Sequence, residues 1–218
     1  MIFIGLSGAP SSGKTTLASG LTSILKEQGY VVNFVMEYAR EFMSKYGSEY
    51  TMADQLHITG EQLAREEKAF TSSADIIITD CPVILGAIYG EFCLDNDEKN
   101  FMYYQRILDM SIRSARAYRQ NANMELFHIR PRRFVKDGVR TNNGSSSLDI
   151  DQRIRAFLQI YGDFIEVSQI TVEDRMSFIL NHLSENGMIE LKHITPEMLE
   201  YHSTLSKLDT SATEQGIE

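Results

Sequence analysis

The sequence predicts a three-layer α/β fold: a parallel five-stranded sheet with helices on both faces. Three observations carry this expectation. Short apolar or β-branched runs alternate with segments of helical period, a glycine-rich turn joins the first run to the first helix, and the third run closes on an acid.

Taken in order, Met1 to Leu6 is an apolar run that ends at glycine, the mark of a buried parallel strand. From Lys14 to Gln28 the apolar residues Leu17, Leu21, Ile24 and Leu25 recur at helical spacing, and Gly29 stops the helix. Tyr30 to Met36 reads as a second strand. Glu37 to Lys45 and Met52 to Phe70 read as helices, the latter rich in good helix formers. Ala74 to Asp80, A-D-I-I-I-T-D, is a third strand. A long helix follows over 97–120, with Phe101, Tyr104, Leu108, Ile112 and Ala115 on one face. Glu125 to Ile129 is a fourth strand, and the polar run Pro131 to Leu148 reads as a loop. Asp149 to Ile160 (helix), Asp163 to Val167 (strand) and Val172 to Ser184 (helix) complete the alternation. Residues 1–187 are thus expected as one domain and 188–218 as a partly disordered C-terminal extension.

The composition narrows the function classes. A net charge of −9 over 218 residues disfavours sequence-blind binding along nucleic acid, which needs a surplus of Lys and Arg. Two cysteines, Cys81 and Cys93, without His or Cys at zinc spacing, argue against a structural metal site and a disulfide framework. No stretch reaches the length of a membrane span, and a cytoplasmic location is expected.

Gly8-Ala9-Pro10-Ser11-Ser12-Gly13-Lys14-Thr15 fits G-x-x-x-x-G-K-[ST], and it lies where that motif acts, between a strand and a helix. The glycines let successive backbone N–H groups turn onto phosphate oxygens, and the positive end of the helix dipole lies behind them. Gly8, Ser11, Ser12, Gly13, Lys14, Thr15 and Thr16 are therefore expected to hold ATP. Lys14 reaches the β- and γ-phosphates and the Thr15 hydroxyl ligates Mg²⁺. The fold class sharpens to a three-layer P-loop NTPase.

In an open parallel sheet, chemistry gathers beyond the carboxyl ends of the strands. Asp80 closes the third strand, where it binds Mg²⁺ or takes the acceptor's proton. Glu37 follows the second strand, three residues from Arg40. That carboxylate is suited to take a proton from a substrate hydroxyl while Arg40 holds substrate or phosphate. Spacing leaves open whether Glu37 or Asp80 is the base. Between 130 and 140 lie Arg130, Arg132, Arg133, Lys136 and Arg140, opposed by Asp137; a loop so charged suits a lid over a triphosphate. Arg106, Arg113, Arg116 and Arg119 on the long helix read first as a solvent face, and as a nucleic-acid contact second.

These residues together resemble the ribosylnicotinamide kinase (NadR-type, AAA-like) group of P-loop kinases and ATPases. The resemblance rests on S-S-G-K-T, E-Y-A-R-E-F after the second strand, I-I-I-T-D, and D-G-V-R in the basic loop, and it covers roughly residues 1 to 185. It implies ATP-dependent phosphorylation of a hydroxyl on a nucleoside-like molecule. Lys14, Glu37, Asp80 and Arg140 would then be catalytic, Arg132 and Arg133 would join the cradle on the nucleotide, and Glu37, Tyr38, Arg40 and Asp137 would face the acceptor. Many members of the group are virus-encoded, and such a protein would act in the host cytoplasm. Where the group has D-T-D after the third strand, this chain has T-D-C-P, which leaves Asp80 as the single acid there. With no Trp, stacking on a base falls to Tyr or Phe, with Tyr38 and Tyr89 as candidates. Two other readings stay open: a kinase acting on a hydroxymethylated base in DNA, and an ATPase or switch without a phosphate acceptor. The oligomeric state is left undetermined.

Overall fold

The computed structural model describes the backbone of residues 1–131, 144–161, 163–192 and 194–215, and the side chains of these except for 144–146 and 209–215. The strands are β1 (Ile2–Ser7), β2 (Val32–Val35), β3 (Ile76–Asp80), β4 (Asn123–Ile129) and β5 (Ile165–Val167). They form one sheet in the order β2-β3-β1-β4-β5, parallel throughout. The helices are α1 (Lys14–Glu27), α2 (Tyr38–Tyr46), α3 (Met52–Phe70), α4 (Gly86–Glu91), α5 (Glu98–Asn121), α6 (Gly144–Tyr161), α7 (Val172–Glu185) and α8 (Pro196–Gln215), and a 3₁₀ turn over Val83–Leu85 precedes α4.

The period of two along β1 divides the core. Ile2, Ile4 and Leu6 pack with Leu17, Leu21 and Ile24 of α1 and Met176, Ile179 and Leu183 of α7. Phe3 points the other way, onto Ala69 of α3 and Tyr118 of α5, where the Phe3, Phe70 and Tyr118 rings meet at 4.5–5.4 Å. Ile150, Ile154 and Leu158 of α6 pack with Leu126 of β4 and with α4 on that same side. Both faces of β1 are thus covered, which is why its sequence is a continuous apolar run rather than an alternation.

Two expectations change. The buried face of α5 is Ile107, Ser111, Ser114, Ala115 and Tyr118, while Phe101 is 49 % exposed. Helix α6 begins at Gly144 rather than Asp149; Ser147 is buried there and donates to the Pro10 carbonyl. The segment after 187 carries α8, which packs on the outer side of α1. His202 Nε2 lies 2.6 Å from Glu27, Lys207 pairs with Glu173 at 3.3 Å, and Ser206 faces Gly20.

Candidate active site

The phosphate cradle leaves the carboxyl end of β1. Gly8 has φ 144° and Gly13 φ 88°, with Ser11 between them at φ 62°. Gly8 is constrained twice, since a Cβ there would come within 2.6 Å of the Ile129 carbonyl oxygen of β4. Lys14 is the second residue whose setting is informative. Its side chain is buried and folds back, with Nζ donating to the carbonyls of Gly8 (2.9 Å) and Ala9 (3.0 Å), so the ammonium already sits over the cradle. Ser12 is buried, and Thr16 follows on the first turn of α1.

Asp80 is opposite Leu6 in the register of β3 on β1, one residue short of the cradle. The Thr15 hydroxyl donates to its Oδ2 at 2.5 Å. A hydroxyl and a carboxylate so placed fit a hard cation that prefers oxygen ligands. Among the described residues no three His, Cys, Asp or Glu side chains gather to hold a metal. A cation held by Thr15 and Asp80 would therefore draw its other ligands from phosphate and water, as Mg²⁺ does.

Glu37 is the N-cap of α2, in extended conformation, buried, and without a capping hydrogen bond from its side chain. It lines a largely apolar pocket of about 180 Å³. Its lining includes Pro10 of the cradle, Cys81 and Pro82 just after Asp80, the rings of Tyr50, Tyr89 and Phe92, and polar groups among which are Gln55, Thr59 and Gln62. The chain turns sharply here, with Cys81 at φ 66°.

Glu37 and Tyr89 line this pocket, and Pro10 joins it to the cradle that carries Lys14 and Thr15, with Asp80 bonded to Thr15. Tyr38 is turned away from the pocket: its hydroxyl lies 3.0 Å from His57 Nε2, and the Arg65 guanidinium lies over its ring at 4.6 Å. Arg40 is half-buried on the first turn of α2 and is not among the pocket-lining residues. Arg132, Arg133, Lys136, Asp137 and Arg140 lie outside the described residues. On α5, Arg106, Arg113, Arg116 and Arg119 are exposed on the helix; Arg113 pairs with Asp109 and Arg119 donates to the Asp163 carbonyl.

Two buried devices behind the cradle have no local signature in the sequence. The His128 ring on β4 bridges Ser7, at the end of β1, and Asp151 of α6, at 3.1 and 2.9 Å. Arg175 of α7, 2 % exposed, donates to the carbonyls of Ser12 (2.7 Å), Arg130 (2.9 Å) and Gln169 (3.0 Å). It ties the cradle to the ends of β4 and β5. Arg175→Met, which leaves three carbonyls without this donor, is expected to cost about 2 kcal/mol of stability. Urea unfolding would show it as a lower midpoint at unchanged slope.

Beneath the pocket, Glu66 of α3 is fully buried, and burial pushes its carboxyl up to about 7. The titratable group facing it from α5 is Tyr118, whose phenol is also pushed up, first by burial and then by this carboxylate; Glu67 is its neighbour on α3. A carboxyl raised above its unfolded value of 4.5 binds more protons in the folded state than in the unfolded one. Its contribution to stability is therefore greatest below pH 4.5, falls as pH rises, and levels off above about 7. The full shift corresponds to about 3 kcal/mol. Glu66→Gln removes this titration, so the variant should gain stability relative to the parent between pH 5 and pH 8. Denaturant titrations of both proteins at the two pH values measure it.

A family model described as an AAA domain matches residues 3–175. Among solved structures, NadR in complex with NR superposes with a TM-score of 0.68 at 18% identity, over 88% of this chain and 51% of that one. NadR in complex with NAD and AMP-PNP gives 0.66 and 17% over the same shares. Deoxyadenosine kinase from M. mycoides, with products dCMP and a flexible dCDP bound, gives 0.55 and 16% over 84% of this chain and 99% of that one. At such identities these likenesses show the fold, that of P-loop kinases. The chain spans about half the length of the NadR chains it matches. No curated protein matches it.

Proposed function

We propose that this chain, which belongs to the AAA domain family, is an ATP-dependent kinase that passes the γ-phosphate to a hydroxyl of a nucleoside-like small molecule. The observation that carries the reading is the pocket. It is lined by Glu37, shares Pro10 with the cradle, and includes in its wall the residues that directly follow Asp80. An ATPase or switch has no use for a largely apolar, aromatic-lined space beside its phosphate cradle, whereas a kinase needs one for its acceptor.

The chemistry follows from the residues. Lys14 and the backbone N–H groups of the cradle hold the triphosphate and take up charge as it develops on the transferred group. Thr15 and Asp80 hold Mg²⁺, which supplies further neutralisation at the phosphates. The Thr15 hydroxyl donates to Asp80, which supports a metal-binding role for that acid and favours Glu37 as the base. The acceptor hydroxyl gives its proton to the Glu37 carboxylate as its oxygen bonds to the γ-phosphorus, and the bond from that phosphorus to the β–γ bridging oxygen breaks, releasing ADP. The apolar wall excludes water, which would otherwise compete as acceptor.

The test is a transfer assay from γ-labelled ATP to a panel of nucleosides, ribosides, nucleotides and hydroxymethylated single-stranded DNA. Labelled product from the nucleoside or riboside arms is expected. ATP binding without transfer to any acceptor would remove the proposal, and product from the DNA arm alone would replace it.

A further inference from the structure

We propose that Glu66 is a positioning residue that sets the two ends of the acceptor pocket against each other, acting through Gln62, Thr79 and the backbone of Val83. The inference rests on the roles given above to Glu37 and Asp80, and Glu66 itself touches neither reacting group.

The geometry converges on one atom. Glu66 Oε1 accepts from the Thr79 hydroxyl at 2.9 Å, from the Val83 backbone N–H at 3.0 Å and from Gln62 Nε2 at 3.2 Å. Gln62 Nε2 also lies 3.3 Å from Thr79 Oγ1. Because the amide nitrogen is drawn to these acceptors, the amide oxygen must face the other way. There it accepts from the Tyr38 backbone N–H at 2.9 Å. Tyr38 is the residue after Glu37 and the first residue of α2, so this bond fixes how the Glu37 end of the helix meets the pocket. Thr79 precedes Asp80 in β3, and Val83 begins the 3₁₀ turn just after the strained Cys81. A single buried oxygen thereby orients the segment bearing the base and the segment bearing the metal-binding acid. All of Gln62, Thr79 and Glu66 are at most 5 % exposed, so water does not substitute for these bonds.

What the network requires of Glu66 is an acceptor oxygen, which glutamine also supplies. Glu66→Met has similar length and no acceptor; it frees the Gln62 amide to turn over. Expected is a 10- to 100-fold lower kcat for phosphate transfer, the scale of a displacement of about 1 Å between reacting groups, with ATP affinity within twofold of the parent. Glu66→Gln should recover most of the rate. Thr79→Val, which removes one donor and leaves the carboxyl, should lower kcat in the same direction and serves if Glu66→Met does not fold. A folded Glu66→Met or Thr79→Val with parental kcat would overturn the inference, as would a Glu66→Gln as slow as Glu66→Met. If the parent transfers phosphate to no acceptor, the kinase reading fails by itself. The positioning is then read from hydrogen exchange of the Tyr38 amide in the nucleotide-free protein. Faster exchange in Glu66→Met than in Glu66→Gln supports it, and equal protection overturns it.

Discussion

Glu37→Gln is expected to lower kcat by roughly 10²- to 10⁴-fold, the usual worth of a positioned general base, with little change in KM for ATP. The substitution keeps the shape and hydrogen-bonding length of the side chain but cannot take the acceptor's proton. Glu37 is 8 % exposed in the lining of the pocket, so bulk water is poorly placed to act in its stead. The loss of one negative charge at the N-terminus of α2 costs only a few tenths of a kcal/mol in helix stability, and the variant should fold normally. Single-turnover transfer from labelled ATP separates the outcomes. A fall of less than about fivefold would assign the proton to Asp80 instead.

Lys14→Met comes second in size. The ammonium is the one basic side chain in the Gly8–Thr15 cradle, and charge stabilisation of this kind is worth about 10²- to 10³-fold in kcat. ATP affinity should fall as well, because the lysine binds ground-state phosphates too. Lys14 also donates to the Gly8 and Ala9 carbonyls, so the substitution removes two hydrogen bonds within the cradle. Isothermal titration with ATP and a transfer assay together check this. Unchanged affinity and unchanged kcat would refute the role of Lys14 on the phosphates.

The parts of this site that local pattern encodes were readable in the sequence. The cradle announces itself through glycine spacing between an apolar run and an amphipathic helix, and Asp80 through a β-branched run that ends on an acid. The order of elements gave the parallel sheet, because alternating strands and helices have few other solutions. Glu37 could be nominated from its place after β2, but Tyr38 beside it could not be oriented. Which way Tyr38 points depends on His57 and Arg65 of α3, and nothing in the spacing within α2 encodes that contact. The start of α6 was misjudged because Ser146, Ser147 and their neighbours read as loop, whereas the burial of Ser147 against Pro10 is a tertiary fact. Arg175, His128, Asp151 and Glu66 were missed for the same reason. Each is an unremarked polar residue in an ordinary helix or strand, and its meaning arises only when distant segments meet.

The place of β1 at the centre of the sheet has a consequence for the order of folding. The strand that leads into the cradle is made well before its sheet partners β3 and β4, which come much later in the chain. Ser7 meets His128 across 121 residues, and Arg175 reaches Ser12 across 163. Contacts of such range close slowly, since long loops must be brought together before the pairing stabilises them. A nascent chain therefore carries its phosphate-binding motif for most of synthesis without a structure to hold it. Nucleotide binding is expected only after α7 has been made, and acquisition of ATP affinity should mark a late step of assembly rather than an early one.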